Sequence, residues 1–260
     1  MNWLNSVAGF GVGVMVGMTG VGGGALMTPI LVLLFGVAPA AAVGTDLWFA
    51  AITKMAGGAM HQGHGGVDWQ VVRRLSAGSL PAAAATLWWL HLTGVGQVKH
   101  GLILHALGWV LILTALAMLF RKRLHTVGQG LRERAPESFK QYQPVLTVLA
   151  GAVLGFLVTL TSVGAGALGT VMLLYLYPFR MTPGRLVGTD IVHAIPLTML
   201  AGAGHLAMGN VDVSLLGALL LGSIPGVLLG ATLSTKVPQG VLRGAIATVL
   251  VVVASKLVLS

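Results

Sequence analysis

The sequence predicts an all-α integral membrane protein built as two inverted-topology repeats, each a short re-entrant helical hairpin plus three transmembrane helices. Three observations carry this. Of 260 residues, 56% are hydrophobic and 8% charged, with a mean hydropathy of +0.91, values that water-soluble domains of this size do not normally reach. Polar and proline positions recur in register between the two halves. Short apolar pieces interrupted by glycine open each half at matching places.

Apolar runs such as 101–120 and 241–259 supply the ~20 residues a helix needs to cross a bilayer, whereas barrel strands would alternate over ~10 residues. The net charge of +9 invites a nucleic-acid reading. The basic residues, however, concentrate in short segments between apolar spans, as in loops held on the cytoplasmic side, and no nucleic-acid partner is expected. The absence of cysteine excludes disulfides and thiolate metal sites. The opening MNWLNSVAGF lacks the basic start of a signal peptide, so the first apolar segment is expected to be retained.

Displacing the chain by 144 residues aligns Pro39 with Pro183, Gly44-Thr45-Asp46 with Gly188-Thr189-Asp190, His61 with His205, and Pro81 with Pro225. Upstream, the same displacement sets Gly20 and Gly22 on Gly164 and Gly166. Chance apolar similarity does not keep polar and proline positions in register. The chain therefore divides into repeat one (1–120), a cytoplasmic linker (121–142) and repeat two (143–260).

In order, the apolar segments of repeat one are 4–18, 25–36, 40–60, 73–92 and 99–120. Those of repeat two are 145–160, 165–178, 184–206, 213–233 and 239–259. A helix over 4–18 is only ~22 Å long, too short to span. The two short pieces of each half are thus one broken crossing or a hairpin that enters and leaves on one side. The linker RKRLHTVGQGLRERAPESFK holds six Lys or Arg and belongs in the cytoplasm. With hairpins, Arg73, Arg74, Arg180, Arg185, Lys236 and Arg243 join it there, and only Lys99 and Lys256 fall outside. Broken crossings would move four of these arginines and lysines outward. The hairpin gives each half an odd number of segments, so the halves insert oppositely, as a multi-pass protein of the cytoplasmic (inner) membrane with both termini outside.

Glycine costs roughly 1 kcal/mol relative to alanine inside a helix. Four glycines from Gly20 to Gly24 therefore mark a break between short helices. The hairpin tips, TGVGGGA at Thr19 to Ala25 and TSVGAGA at Thr161 to Ala167, would meet near the bilayer midplane. Unpaired N–H groups and the helix dipole at the following helix starts make an anion site, and glycine admits close approach to backbone. Thr19, Gly20, Gly22, Gly23, Gly24, Thr161, Ser162, Gly164 and Gly166 are the candidate substrate contacts. Tight helix packing by small residues is the competing explanation.

These residues resemble the sulfite exporter TauE/SafE family of bacterial membrane proteins. The resemblance covers essentially the whole chain: GxGGG at Gly20 to Gly24, P-x4-GT at Pro39, Gly44 and Thr45 and again at Pro183, Gly188 and Thr189, and a basic central loop. It implies movement of sulfite, a sulfonate or a related organosulfur anion across the cytoplasmic membrane, often outward. The second tip departs from the glycine run, reading Gly164-Ala165-Gly166-Ala167.

Asp46 and Asp190 sit at equivalent positions within apolar segments, where a carboxylate is expensive and marks function by default. With His193 they are candidates for carrying a proton with the anion. Their alternative role is capping or bonding a neighbouring loop. Lys54, well inside an apolar segment, is a candidate substrate contact, a partner for Asp46 or Asp190, or a side chain that snorkels to the interface. His61 and His64 have metal-compatible spacing, but further ligands are missing and no metal is expected. His61 and His205 read as interfacial hydrogen-bonders.

No P-loop, hydrolase or cofactor fingerprint occurs, so no catalytic residue and no cofactor is expected, and transport would run on a gradient. The expected partners are a small organic or inorganic anion and the lipid bilayer, with a homodimer left open. The rival functions are a metal-cation permease using His61, His64 and Asp46, and a membrane-embedded enzyme or its subunit.

Overall fold

The computed structural model describes residues 3–19, 24–61, 66–94, 100–134, 136–233 and 239–259. These form helices without strands. Repeat one holds α1 (Trp3–Thr19), α2 (Gly24–Leu33), α3 (Pro39–His61), α4 (Trp69–Thr93) and α5 (His100–Leu119). Next come α6 (Arg121–Arg134) and α7 (Pro136–Thr161), then α8 (Ala167–Leu176), α9 (Pro183–Ala207), α10 (Val213–Leu233) and α11 (Gln239–Leu259). Phe139–Thr161, Pro183–Ala207 and Val213–Leu233 are each long and apolar enough to cross a bilayer.

The segment expected to be a loop over 121–142 is instead α6 and the first turns of α7. Polar Lys, Arg, Glu and Gln are good helix formers, so a lack of apolar residues there does not mean a lack of helix. Pro136 occupies the first position of α7, where its missing N–H costs nothing, and Glu137 in the first turn suits the helix dipole. At 26 residues, α7 is far longer than the arm expected over 145–160.

Equivalent helices pack in equivalent ways. α3 lies against α9 and α5 against α11, while α1 packs on α10 and α7 on α4, so the first helix of each repeat rests on the other repeat. Small residues make these exchanges possible. A Cβ on Gly9, Gly13 or Gly17 would strike the backbone of Leu219, Ser223 or Val227, and one on Gly222, Gly226 or Gly230 would strike α1 in return. Such close approach maximises dispersion contact where lipid removes the hydrophobic drive between helices. On the equivalent seam, Gly151 and Gly155 meet the backbone of Leu75 and Ser79.

These contacts correct the expected register. Gly13 faces Ser223 as Gly155 faces Ser79, and these two glycines are 142 positions apart, whereas the serines are 144 apart. The two-residue difference is absorbed between the end of α7 and the start of α9. Thr19 therefore corresponds to Thr161.

The second broken pair doubles back. Gln143 Nε2 donates to the Leu176 carbonyl at 2.5 Å, and Thr147 Oγ1 lies 2.8 Å from the Tyr177 hydroxyl. The residues entering α7 and leaving α8 thus meet at one end of the pair.

Candidate functional site

The duplicated Gly-Thr-Asp element does two jobs. Its threonines tie the repeats together: the Asp212 N–H donates to Thr45 Oγ1 at 3.0 Å, and the Asp68 N–H donates to Thr189 Oγ1 at 3.0 Å. Asp68 and Asp212 in turn accept from Val71 and Leu215 N–H groups and cap α4 and α10. Gly44 admits the Asn210 carbonyl, which a Cβ there would strike. The motif is thus partly structural.

Its aspartates point elsewhere. Asp46 is fully buried and accepts from Thr28 Oγ1 at 2.5 Å, while its Oδ1 has no hydrogen-bond partner. Beside it lies Ser162, also buried. Asp190 receives Lys54, whose Nζ is 3.2 Å from Oδ2 and donates to the Ala165 carbonyl at 2.8 Å. Lys54 is 4% exposed, which rules out the snorkelling alternative. The ion pair joins repeat one to repeat two at the break between α7 and α8.

That break has an unusual backbone. Thr161 Oγ1 donates to the Leu157 carbonyl and accepts from the Val163 N–H, ending α7. Ser162 has φ 60 and Gly164 φ 116, both in the left-handed region that side chains disfavour. A serine held there at a buried turn marks local strain of the kind that collects at functional sites. Gly166 then serves as the N-cap of α8 without a side-chain cap bond, leaving the first N–H groups without that partner.

The second tip lies beside both aspartates: Ser162 adjoins Asp46, and the Ala165 carbonyl shares Lys54 with Asp190. In the first tip, Thr19 ends α1 and Gly24 starts α2, whereas Gly20, Gly22 and Gly23 lie outside the described residues. His193 is buried with Nε2 at 2.9 Å from Ser79 Oγ. His205 is 2% exposed and bonds the Thr159 carbonyl through Nε2. His64 lies outside the described residues, among which no cluster of three metal-binding side chains occurs. Thr28, Ser79 and Trp48 escaped the sequence reading. Trp48 carries a buried, unpartnered Nε1 on the same helix as Asp46 and Lys54. In the corrected register Thr28 matches Thr170, a signal that was available.

A family model described as Sulfite exporter TauE/SafE matches residues 6–257. The chain belongs to the sulfite exporter TauE/SafE family. Among curated relatives of this TauE/SafE chain, the probable membrane transporter protein YjnA of Bacillus subtilis (strain 168) is 40% identical over 212 residues, 80% of each chain. YdhB, a probable membrane transporter protein of the same organism, is 26% identical over 207 residues, again 80% of each. No solved structure matches. The TauE/SafE chain is accordingly a membrane transporter and not an enzyme.

Proposed function

We propose that the protein is a gradient-driven carrier or permease for a small sulfur oxyanion, sulfite or a sulfonate, and that it exports this anion across the cytoplasmic membrane. The observation that carries the reading is Lys54, a buried ammonium held at the α7–α8 break by one carboxylate and one carbonyl. A tetrahedral or pyramidal oxyanion reaching the uncapped start of α8 would meet N–H groups, the positive end of a helix, the Ser162 hydroxyl and the Lys54 ammonium. It would compete with Asp190 for Lys54. Asp46, Asp190 and His193 are the groups that would carry a proton with the anion.

The doubled-back pair supports a membrane arrangement to match. With both outer ends of α7 and α8 on the cytoplasmic side, α9 leaves that side and α10 returns to it. α1 and α2 form the matching hairpin from outside, and the repeats are inverted. Arg180 and Arg185 gather on Asp68, and Arg74 bonds the Tyr177 hydroxyl, all at the end where α7 begins. In this arrangement these arginines would share the cytoplasmic face, in keeping with charge asymmetry. Both termini are then outside.

Isothermal titration of the purified protein with sulfite, a short alkanesulfonate and a divalent metal cation tests the proposal. The oxyanions should bind, and Lys54→Gln should weaken them by about tenfold or more, the scale of a lost charge-assisted hydrogen bond. Binding of the metal cation in place of both anions would instead support a cation permease.

A further inference from the structure

Helix α6 presents a surface that the transport site does not use. Its sequence RKRLHTVGQGLRER has five Lys or Arg and a single Glu. It is bent 67° from α5 and so lies across the end of the bundle instead of continuing the span. One side is seated on α8: a Cβ on buried Gly128 would strike the Tyr175 carbonyl, and His125 Nε2 lies 3.0 Å from the Pro178 carbonyl.

The adjoining side is apolar, and all of it but half-buried Leu124 is uncovered. Phe120, Leu124, Val127 and Leu131 recur at the spacing of one helical face. Phe120 is 45% exposed, Val127 51% and Leu131 42%. Exposed Lys122, Arg123 and Arg134 lie beyond this stripe, and the Arg123 guanidinium stacks 5.7 Å above the Phe120 ring. Water does not suit the stripe, and the hydrocarbon core does not suit the cations. The boundary between acyl chains and anionic headgroups suits both.

We propose that α6 is an interfacial helix that binds anionic phospholipid headgroups and buries Phe120, Val127 and Leu131 among the outermost acyl carbons. A second copy of the chain is a poor occupant. A two-fold contact through this face would set its basic rims against each other. Because α6 is seated on the last turn of α8, headgroup binding also braces the outer end of that helix. The lipid contact itself is independent of which substrate the transporter carries.

The test uses the purified full chain in nanodiscs of phosphatidylcholine with or without phosphatidylglycerol. The chain has no cysteine, so a spin label on Val127→Cys or Glu133→Cys reports depth without background. The label at 127 should meet oxygen, and the label at 133 a water-soluble relaxer. Phosphatidylglycerol should bind about tenfold or more tighter than phosphatidylcholine. The triple variant Lys122→Gln, Arg123→Gln, Arg134→Gln should lose this preference while keeping its melting temperature in phosphatidylcholine. Equal affinity for the two lipids, retention of the preference by the triple variant, or a water-exposed label at 127 would overturn the proposal. So would conversion of a dimer to a monomer by Val127→Ser with Leu131→Ser, which would assign the face to a second copy.

Discussion

Lys54 and Asp190 are buried together, and each needs the other because an isolated charge at that depth has no water to solvate it. Removing one partner of a buried pair costs about 3–5 kcal/mol, whereas neutralising both is far milder. Lys54→Met should therefore lower the melting temperature in detergent sharply, Asp190→Asn should do so too, and the double variant should recover much of the loss. If the pair serves only to hold α3 against α9, the recovered double variant will still bind oxyanion. As part of the site, it will fold and fail to bind. Sequence alone marked Asp46, Lys54 and Asp190 because charge is scarce in apolar segments. It left the Lys54 partner open between two aspartates, since the choice depends on how α3 and α9 cross. It also could not tell that Thr45 accepts from the Asp212 backbone, a partner 167 positions away.

At the level of helices, apolar length located most spans, and polarity concealed α6 and the start of α7. Clustered glycines announced close packing but not which helices would meet. The exchange of α1 onto α10 and of α7 onto α4 is a tertiary choice that no local pattern states. It yields a contrast within a single helix. A Cβ on Gly13 would strike Ser223 backbone, whereas nothing lies within 4 Å of one on Gly11. Gly11→Ala should stabilise by up to about 1 kcal/mol through helix propensity. Gly13→Ala should destabilise by about 1–3 kcal/mol, because overpacking against backbone outweighs that gain. Thermal unfolding in one detergent measures both. Equal shifts would mean that α1 does not seat on α10 in this way.

Across the whole molecule, the duplication was legible because prolines, histidines and Gly-Thr-Asp keep one spacing through α3, α4, α9 and α10. The two-residue slip of α1 against α7 was not, since it is absorbed where the connecting segments differ in composition. The proposed inversion of the repeats makes a direct topological prediction. Cysteines at exposed Glu133 and Ser214 in this cysteine-free chain should label from opposite sides of the membrane, 133 from the cytoplasm and 214 from outside. Labelling of both from one side would rule out the inverted arrangement. The claim that joins these scales is that a small sulfur oxyanion crosses at the α7–α8 break, released and rebound by Lys54. Uptake of radiolabelled sulfite into proteoliposomes, driven by an imposed gradient with no nucleotide present, tests it most directly. Uptake should saturate, be competed by a short alkanesulfonate, and vanish in the folded Lys54→Met, Asp190→Asn double variant. Uptake no greater than in protein-free liposomes, or undiminished uptake by that variant, would contradict it.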